Sequence, residues 1–265
     1  MKKQIAKVVN HYGRTIQQLS RKIPGEFHAG MIHDFRVAFK KLRSFIRLLQ
    51  IEDRRLKLPD DLKLVYRSSG DVRDLQQVLE KLSPYASSVE AFIRSLRHDL
   101  FNAKELLVMN IEDVSLSKSM KELTASLPSK IDTAFVHQFV QQKIAAIHIN
   151  LLAMEKEEEL HAIRKALKDL LYVKSILEAD LPGNYPFREW RSDKKLLALT
   201  DMLGDLNDWY IALSYFEEER IIHMPAEEQP VIREVEQQWI AERDQLQERA
   251  MQQVKTLERY FKQSV

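Results

Sequence analysis

The 265-residue chain carries 41 Lys/Arg against 39 Asp/Glu (net charge +2), 45% hydrophobic residues, 6 Gly, 8 Pro and no cysteine. So few turn formers, about 5% where an average chain carries roughly 12%, exclude a β-sandwich, a collagen-like repeat and a linker array, and the apolar content excludes global disorder. The missing thiol removes disulfide frameworks, cysteine nucleophiles, iron–sulfur ligation and cysteine zinc sites, in keeping with a reducing cytoplasm.

Helical periodicity runs along the chain, and no window reads as a secretory signal or a membrane span. The spacing predicts a first helix over 2–22, closed by Pro24-Gly25, and a second over 28–51. A third starts at Pro59-Asp60 and is interrupted or bent at Gly70. A fourth starts after Ser83-Pro84, with Ser as N-cap and Pro as first helical residue. Residues 110–128 are weaker and more polar. Helices resume over 130–154 and 157–179, the run Leu181–Pro186 is a loop, and two more helices cover 191–217 and 227–262, with Met224-Pro225 between them.

Charge is unevenly placed along these elements. Residues 1–57 hold 14 basic and 4 acidic side chains, leaving 27 and 35 (41 − 14 and 39 − 4) for the rest. That asymmetry reads either as one strongly positive surface facing something anionic or as a solvated basic face.

The order of elements also repeats. HDFRVAFKKLRSFIR at 33–47 aligns with HAIRKALKDLLYVKS at 161–175, sharing His, Arg, Ala, Lys and Leu. Gly70-Asp71-Val72-Arg73-Asp74 aligns with Gly204-Asp205-Leu206-Asn207-Asp208. The predicted organisation is a single domain, with a first repeat over 1–110, a connecting segment over 111–129 and a second repeat over 130–265. Two such copies bury their apolar faces against each other around a pseudo-two-fold axis.

At about 100° per residue, His33, Arg36, Lys40, Arg43 and Arg47 fall in one arc about 80° wide, opposite Phe35, Phe39, Leu42, Ile46 and Leu49. His161, Arg164 and Lys168 take matching angles in the second copy. Like charges at these spacings repel, a cost that anions on the stripe offset, and guanidinium and ammonium groups match phosphate oxygens. Two stripes brought together make a groove or tunnel for an extended polyanion. The recurring histidine reads as a hydrogen-bond donor to phosphate, or as an orienting residue. Asp71, Asp74, Asp205 and Asp208 are read as anchors for the basic side chains, Gly70 and Gly204 as points of close helix approach, and Arg73, Arg67 and Lys63 as added charge for the first site.

Metal and phosphate-loop chemistry is less well provided for. Glu158-x-x-His161 has carboxylate-bridged metal spacing, but position 30, where a second Glu is needed, is Gly. His33-Asp34 is similar to the His-Asp pair of metal-dependent phosphohydrolases, yet the second copy has Ala162. No Gly-rich phosphate loop occurs.

Taken together, the motifs at 33–43, 70–74, 161–168 and 203–208 resemble the CHAD (conserved histidine α-helical domain) family in order and spacing, over nearly the whole chain. The resemblance implies an all-α fold of two four-helix-bundle halves with a central basic cavity that binds inorganic polyphosphate. By position it assigns His33, Arg36, Lys40, Lys41, Arg43, Arg47 and Arg73 to the first half-site and His161, Arg164, Lys165 and Lys168 to the second. Leu171, Asn207, Asp169 and Ser175 stand where the first copy has Arg43, Arg73, Lys41 and Arg47, so the second half-site is less positive. Many relatives carry an N-terminal triphosphate-tunnel domain of the CYTH type. Only 32 residues precede His33 here, and a stand-alone module is expected. The expected function is a non-enzymatic, cytoplasmic adaptor for polyphosphate or its granules, without cofactor or metal. A nucleic-acid binder and, third, a metal-dependent phosphohydrolase are the alternatives.

Overall fold

In the computed structural model the chain is all-α, and the structure describes residues 1–154, 157–181, 185, 187, 193–257 and 261. Ten α-helices are present among them: α1 (Lys2–Glu26), α2 (Ala29–Leu49), α3 (Asp60–Leu82), α4 (Glu90–Asp113), α5 (Leu116–Ala125), α6 (Thr133–Leu152), α7 (Glu157–Asp180), α8 (Asp193–Leu213), α9 (Glu218–Ile222) and α10 (Gln229–Val254).

Helices α1 to α4 pack in sequence, α1 on α2, α2 on α3 and α3 on α4, and α6, α7, α8 and α10 repeat that order. The two sets meet through α2 and α7, with α3 and α8 alongside. Each helix of that central pair turns one apolar face inward. Phe35, Phe39, Leu42 and Ile46 on α2 and Leu160, Ile163, Leu167 and Leu170 on α7 are all buried, which leaves the opposite faces for the charged residues. A second core lies across the far ends of α3, α4, α8 and α10. There Trp239 stands edge-on to Trp209 and Phe216, with centroids 5.4 and 5.1 Å away.

Several boundaries differ from the sequence expectation. Helix α1 runs past Pro24 and Gly25 and ends where Phe27 turns left-handed (φ 47°), its N–H bonded to the Ile23 carbonyl. Pro24 sits in the last turn, where it withholds one i→i−4 donor without ending the helix. Ser83 does not cap α4: its hydroxyl bonds back to the Glu80 carbonyl at 2.7 Å, Ser83–Tyr85 forms a 3-10 turn, and α4 begins at Glu90. The cap is supplied from the other half of the molecule. Glu228, just before α10, accepts from the Ala91 N–H at 2.9 Å and the Phe92 N–H at 3.2 Å, placing a carboxylate on the free donors of the first turn.

The polar 110–128 stretch is helical over most of its length, because α4 continues to Asp113 and α5 buries Leu116, Met120 and Leu123. Helix α3 passes through Gly70 unbroken. Parts of the Leu181–Pro186 loop, the 191–192 start of the eighth helix and much of the 258–262 end of the last lie outside the described residues.

Candidate functional site

Where α2 and α7 meet between α3 and α8 they leave a cavity of about 580 Å³. Its cationic lining is Arg36, Lys40 and Arg43 from α2, Arg73 from α3, and Arg164, Lys165 and Lys168 from α7, joined by His33 and His161. Five carboxylates share the lining: Asp74 on α3, Asp169 on α7, and Asp201, Asp205 and Asp208 on α8. The arcs that periodicity marks on α2 and α7 face one another across this cavity.

Aromatic stacking holds the first half-site. Tyr66 lies parallel to Phe39 with centroids 4.1 Å apart, and the Arg36 guanidinium sits 4.5 Å over the Tyr66 ring. Arg43 lies 5.5 Å from the same ring centre. Arg36 Nη1 also donates to the Tyr66 carbonyl at 2.9 Å and the Ser69 hydroxyl at 3.3 Å. Stacking of this kind fixes a planar cation without consuming its donors, and the Nε atoms of Arg36, Arg43 and Arg164 have no hydrogen-bond partner among the described residues. Neither Tyr66 nor Phe39 was marked by sequence as part of the site. Tyr66 lies one turn before Gly70 on α3, and nothing in its local pattern signals the stacking.

The glycines were expected at points of close helix approach, but what each meets is an arginine side chain, and unequally. A Cβ at Gly70 would lie 2.8 Å from Arg36 Nη1, whereas one at Gly204 would sit 3.6 Å from the Arg164 guanidinium. Both arginines therefore lie across the glycine of the neighbouring helix, the first more tightly.

Electrostatics in the cavity follow from burial and crowding. Burial, reinforced by Arg36, Arg164, Arg73 and Arg43, brings Lys40 from an ordinary 10.5 down to about 7. Burial also lowers His33, helped by Arg73, and His161, helped by Lys165 and Arg164. Arg73 Nη1 lies 3.1 Å from His33 Nδ1. Because arginine only donates, Nδ1 accepts and the proton of the neutral ring resides on Nε2. At His161 the Asn207 side chain instead favours the protonated ring, against the larger effect of burial. On the acidic side, burial raises Asp74 to about 6, with Asp208 and Asp71 adding to the shift against Arg36, and burial raises Asp205 as well. Crowded cations lose protons easily and crowded carboxylates hold them, so the lining is poised for a charged occupant. Among the described residues no group of three or more His, Asp or Glu is arranged to hold a metal ion, and no helix is long and apolar enough to cross a membrane.

The CHAD-domain profile matches residues 13–217. The chain belongs to the CHAD family. The family is known from polyphosphate-related contexts. The fold is similar to the CHAD domain of the plant Ricinus communis, with TM-score 0.68 and 19% identity over 93% of this chain and 85% of that one. It is also similar to PptA from Streptomyces chartreusis, with TM-score 0.72 and 12% identity over 96% of this chain and 98% of that one. No curated protein matches the chain.

Nine of the eleven residues assigned by the CHAD pattern line the cavity, and two do not. Lys41 lies about 80° around α2 from His33, and its ammonium is 6.0 Å from the Tyr12 ring on α1. Arg47 is within the stripe's arc but one turn too far along, where Asp169 takes it at 2.8 Å. Lys63 is likewise outside the cavity, paired with Asp60 at 2.9 Å, and Arg67 is absent from the lining. Asp74, Asp205 and Asp208 line the wall and Asp71 does not; the wall carboxylates that pair with cations among the described residues are instead Asp201, with Lys168 at 3.1 Å, and Asp169.

Proposed function

We propose that this CHAD protein binds inorganic polyphosphate in the α2–α7 cavity and does not turn it over, acting as an adaptor or targeting module toward polyphosphate granules in the cytoplasm. The observation that carries the reading is the convergence of seven basic side chains, from two separate repeats, on one cavity. Charge-assisted hydrogen bonds from stacked guanidinium groups fit a repeating phosphate chain, and each added phosphate meets more cations. By analogy with nucleic acids, affinity falls steeply with salt as condensed counterions are released.

Single-stranded nucleic acid is the weaker reading. Base stacking needs free aromatic faces, and of the two tyrosines that line the cavity the Tyr66 ring is covered by Phe39, Arg36 and Arg43. A titration with long-chain polyphosphate, single-stranded DNA, RNA and orthophosphate at equal charge concentration tests the proposal. Polyphosphate binds tightest, and the double variant Arg36→Glu/Arg43→Glu loses that binding while keeping its helicity. Equal affinity for DNA, or binding that survives the double variant, refutes it. Release of phosphate with Mg²⁺ or Mn²⁺ refutes the non-catalytic part.

A further inference from the structure

A second chamber, of about 440 Å³, opens beside the cationic cavity in the second half of the molecule. The two share His161, Lys165, Asn207 and Ile211 as a common wall. The linings differ in character. The new chamber is floored by Leu160, Leu203 and Leu206, each about 2% exposed, with Ala162 and Tyr210 at its sides and Glu157 and Glu158 at its rim. Tyr210 is fixed there: its hydroxyl donates to Gln247 at 2.6 Å, and burial together with Glu157 pushes it up to about 12.

The first repeat carries different residues at the equivalent positions. By the repeat offsets, Ala29 and Gly30 stand in place of Glu157 and Glu158, and Gln76 in place of Tyr210. Gln76 Nε2 donates to the Phe27 carbonyl at 2.8 Å, and the His28 ring accepts from the Gly30 N–H at 3.2 Å. The first contact ties the α1–α2 junction to α3 at the corresponding place, and the second caps α2 within that junction.

Beyond the wall it shares with the cationic cavity, this chamber suits an inorganic phosphate chain poorly. Its floor offers no donors, and two rim carboxylates repel further phosphates. A group suited to it has an apolar, planar body, N–H donors for the glutamates, and a phosphate chain leading past His161 and Lys165 into the cationic cavity. Its volume is in the range of small-molecule sites, which combine an apolar lining with a few placed polar groups.

We propose that the double chamber binds purine nucleoside polyphosphates, with the base beside Tyr210 and the phosphates among the α2 and α7 cations. This rests on the cationic cavity being a phosphate site, as set out above.

The test is a calorimetric titration of the full chain with GTP, ATP and inorganic tripolyphosphate, which offer three phosphates with and without a base. At least one nucleotide binds about tenfold more tightly than tripolyphosphate, because base burial adds to the phosphate contacts. Ala162→Phe, which fills the chamber, removes that advantage and leaves tripolyphosphate affinity unchanged. Unchanged tripolyphosphate affinity also certifies that the variant is folded. Glu158→Gln weakens the nucleotide alone. Nucleotide affinity equal to or below that of tripolyphosphate, or an advantage that survives Ala162→Phe, overturns the inference while the polyphosphate reading stands. Failure of all three compounds and of long-chain polyphosphate to bind overturns both.

Discussion

Arg47 on α2 and Lys143 on α6 both donate to one oxygen of Asp169 on α7, at 2.8 and 2.7 Å, while Ser44 donates to the other at 2.6 Å. The carboxylate is almost fully buried, with 4% of its side chain exposed. Burial alone raises its pKa, but Lys143, Ser44 and Arg47 together outweigh that and hold it below the ordinary range. Three helices from the two repeats are thus joined at one atom group, in the wall of the cavity.

Asp169→Asn removes the charge and strands two cations. Arg47 keeps 38% and Lys143 23% of its side-chain exposure, so water compensates in part. We expect a loss of roughly 2–3 kcal/mol, toward the low side for a broken buried pair. Because the folded pKa lies below the unfolded one, the stabilisation is complete above about pH 4 and is lost as pH falls through the folded value. Urea denaturation of both proteins between pH 3 and 7 should show curves that converge at the acid end. A constant difference across that range would count against the assignment.

Lys40 gives the opposite dependence. With a folded pKa of about 7 against an ordinary 10.5, the unfolded chain holds a proton that the folded chain lacks between those values. Stability should therefore rise with pH across that interval, and the rise should disappear in Lys40→Met. A polyanion restores the charged form, so binding at pH 8 takes up protons, and affinity falls as pH climbs above 7. Titration calorimetry in two buffers of different ionisation enthalpy measures the uptake. Identical heats in both buffers would contradict it.

Gly70→Ala and Gly204→Ala separate the two repeats. An alanine in place of glycine within a helix gains about 0.5–1 kcal/mol of helix propensity. At Gly204 the new methyl meets the Arg164 guanidinium at an ordinary 3.6 Å, so the gain is kept and binding is unchanged. At Gly70 it lies 2.8 Å from Arg36 Nη1 and drives that guanidinium off Tyr66. Polyphosphate affinity should drop about tenfold with little change in melting temperature. Equal affinities in the two variants would show that Arg36 placement is not critical.

Lys41→Ala and Lys168→Ala test where the CHAD pattern overreaches. Lys41 sits against Tyr12, off the cavity, and its loss should leave polyphosphate binding within about twofold. Lys168 lines the cavity, and removing it should lower both the affinity and the slope of its salt dependence by about one phosphate contact. Equal effects of the two substitutions would mean that the ligand runs over the outside of α2.

The stripe of His33, Arg36, Lys40 and Arg43 was legible in the sequence because a helix converts spacing into angle. So was its echo at His161, Arg164 and Lys168, because two helices built alike bury alike. Angle alone does not say how far along a helix its partner extends. Arg47 has the right angle, but α7 presents Asp169 at that level. The Phe39–Tyr66 platform was illegible for a different reason. It joins α2 to α3 across 27 residues of chain, and a lone Tyr on a helix carries no sign of the ring it will stack on. The end of α1 was misplaced because Pro24-Gly25 reads as a stop, whereas the stop is made by the backbone of Phe27.

Glu228 and its two bonds to the start of α4 bear on how the chain is made. Ala91 and Phe92 leave the ribosome well over a hundred residues before the carboxylate that receives their N–H groups. Phe92 likewise precedes Phe216, its ring neighbour at 5.2 Å. A nascent chain ending near residue 110 therefore has all four helices of its first repeat but neither the cap nor the far wall of its second core. The duplication is one of pattern and not of independence: the early half waits, unfinished at one end, for the late half to close it.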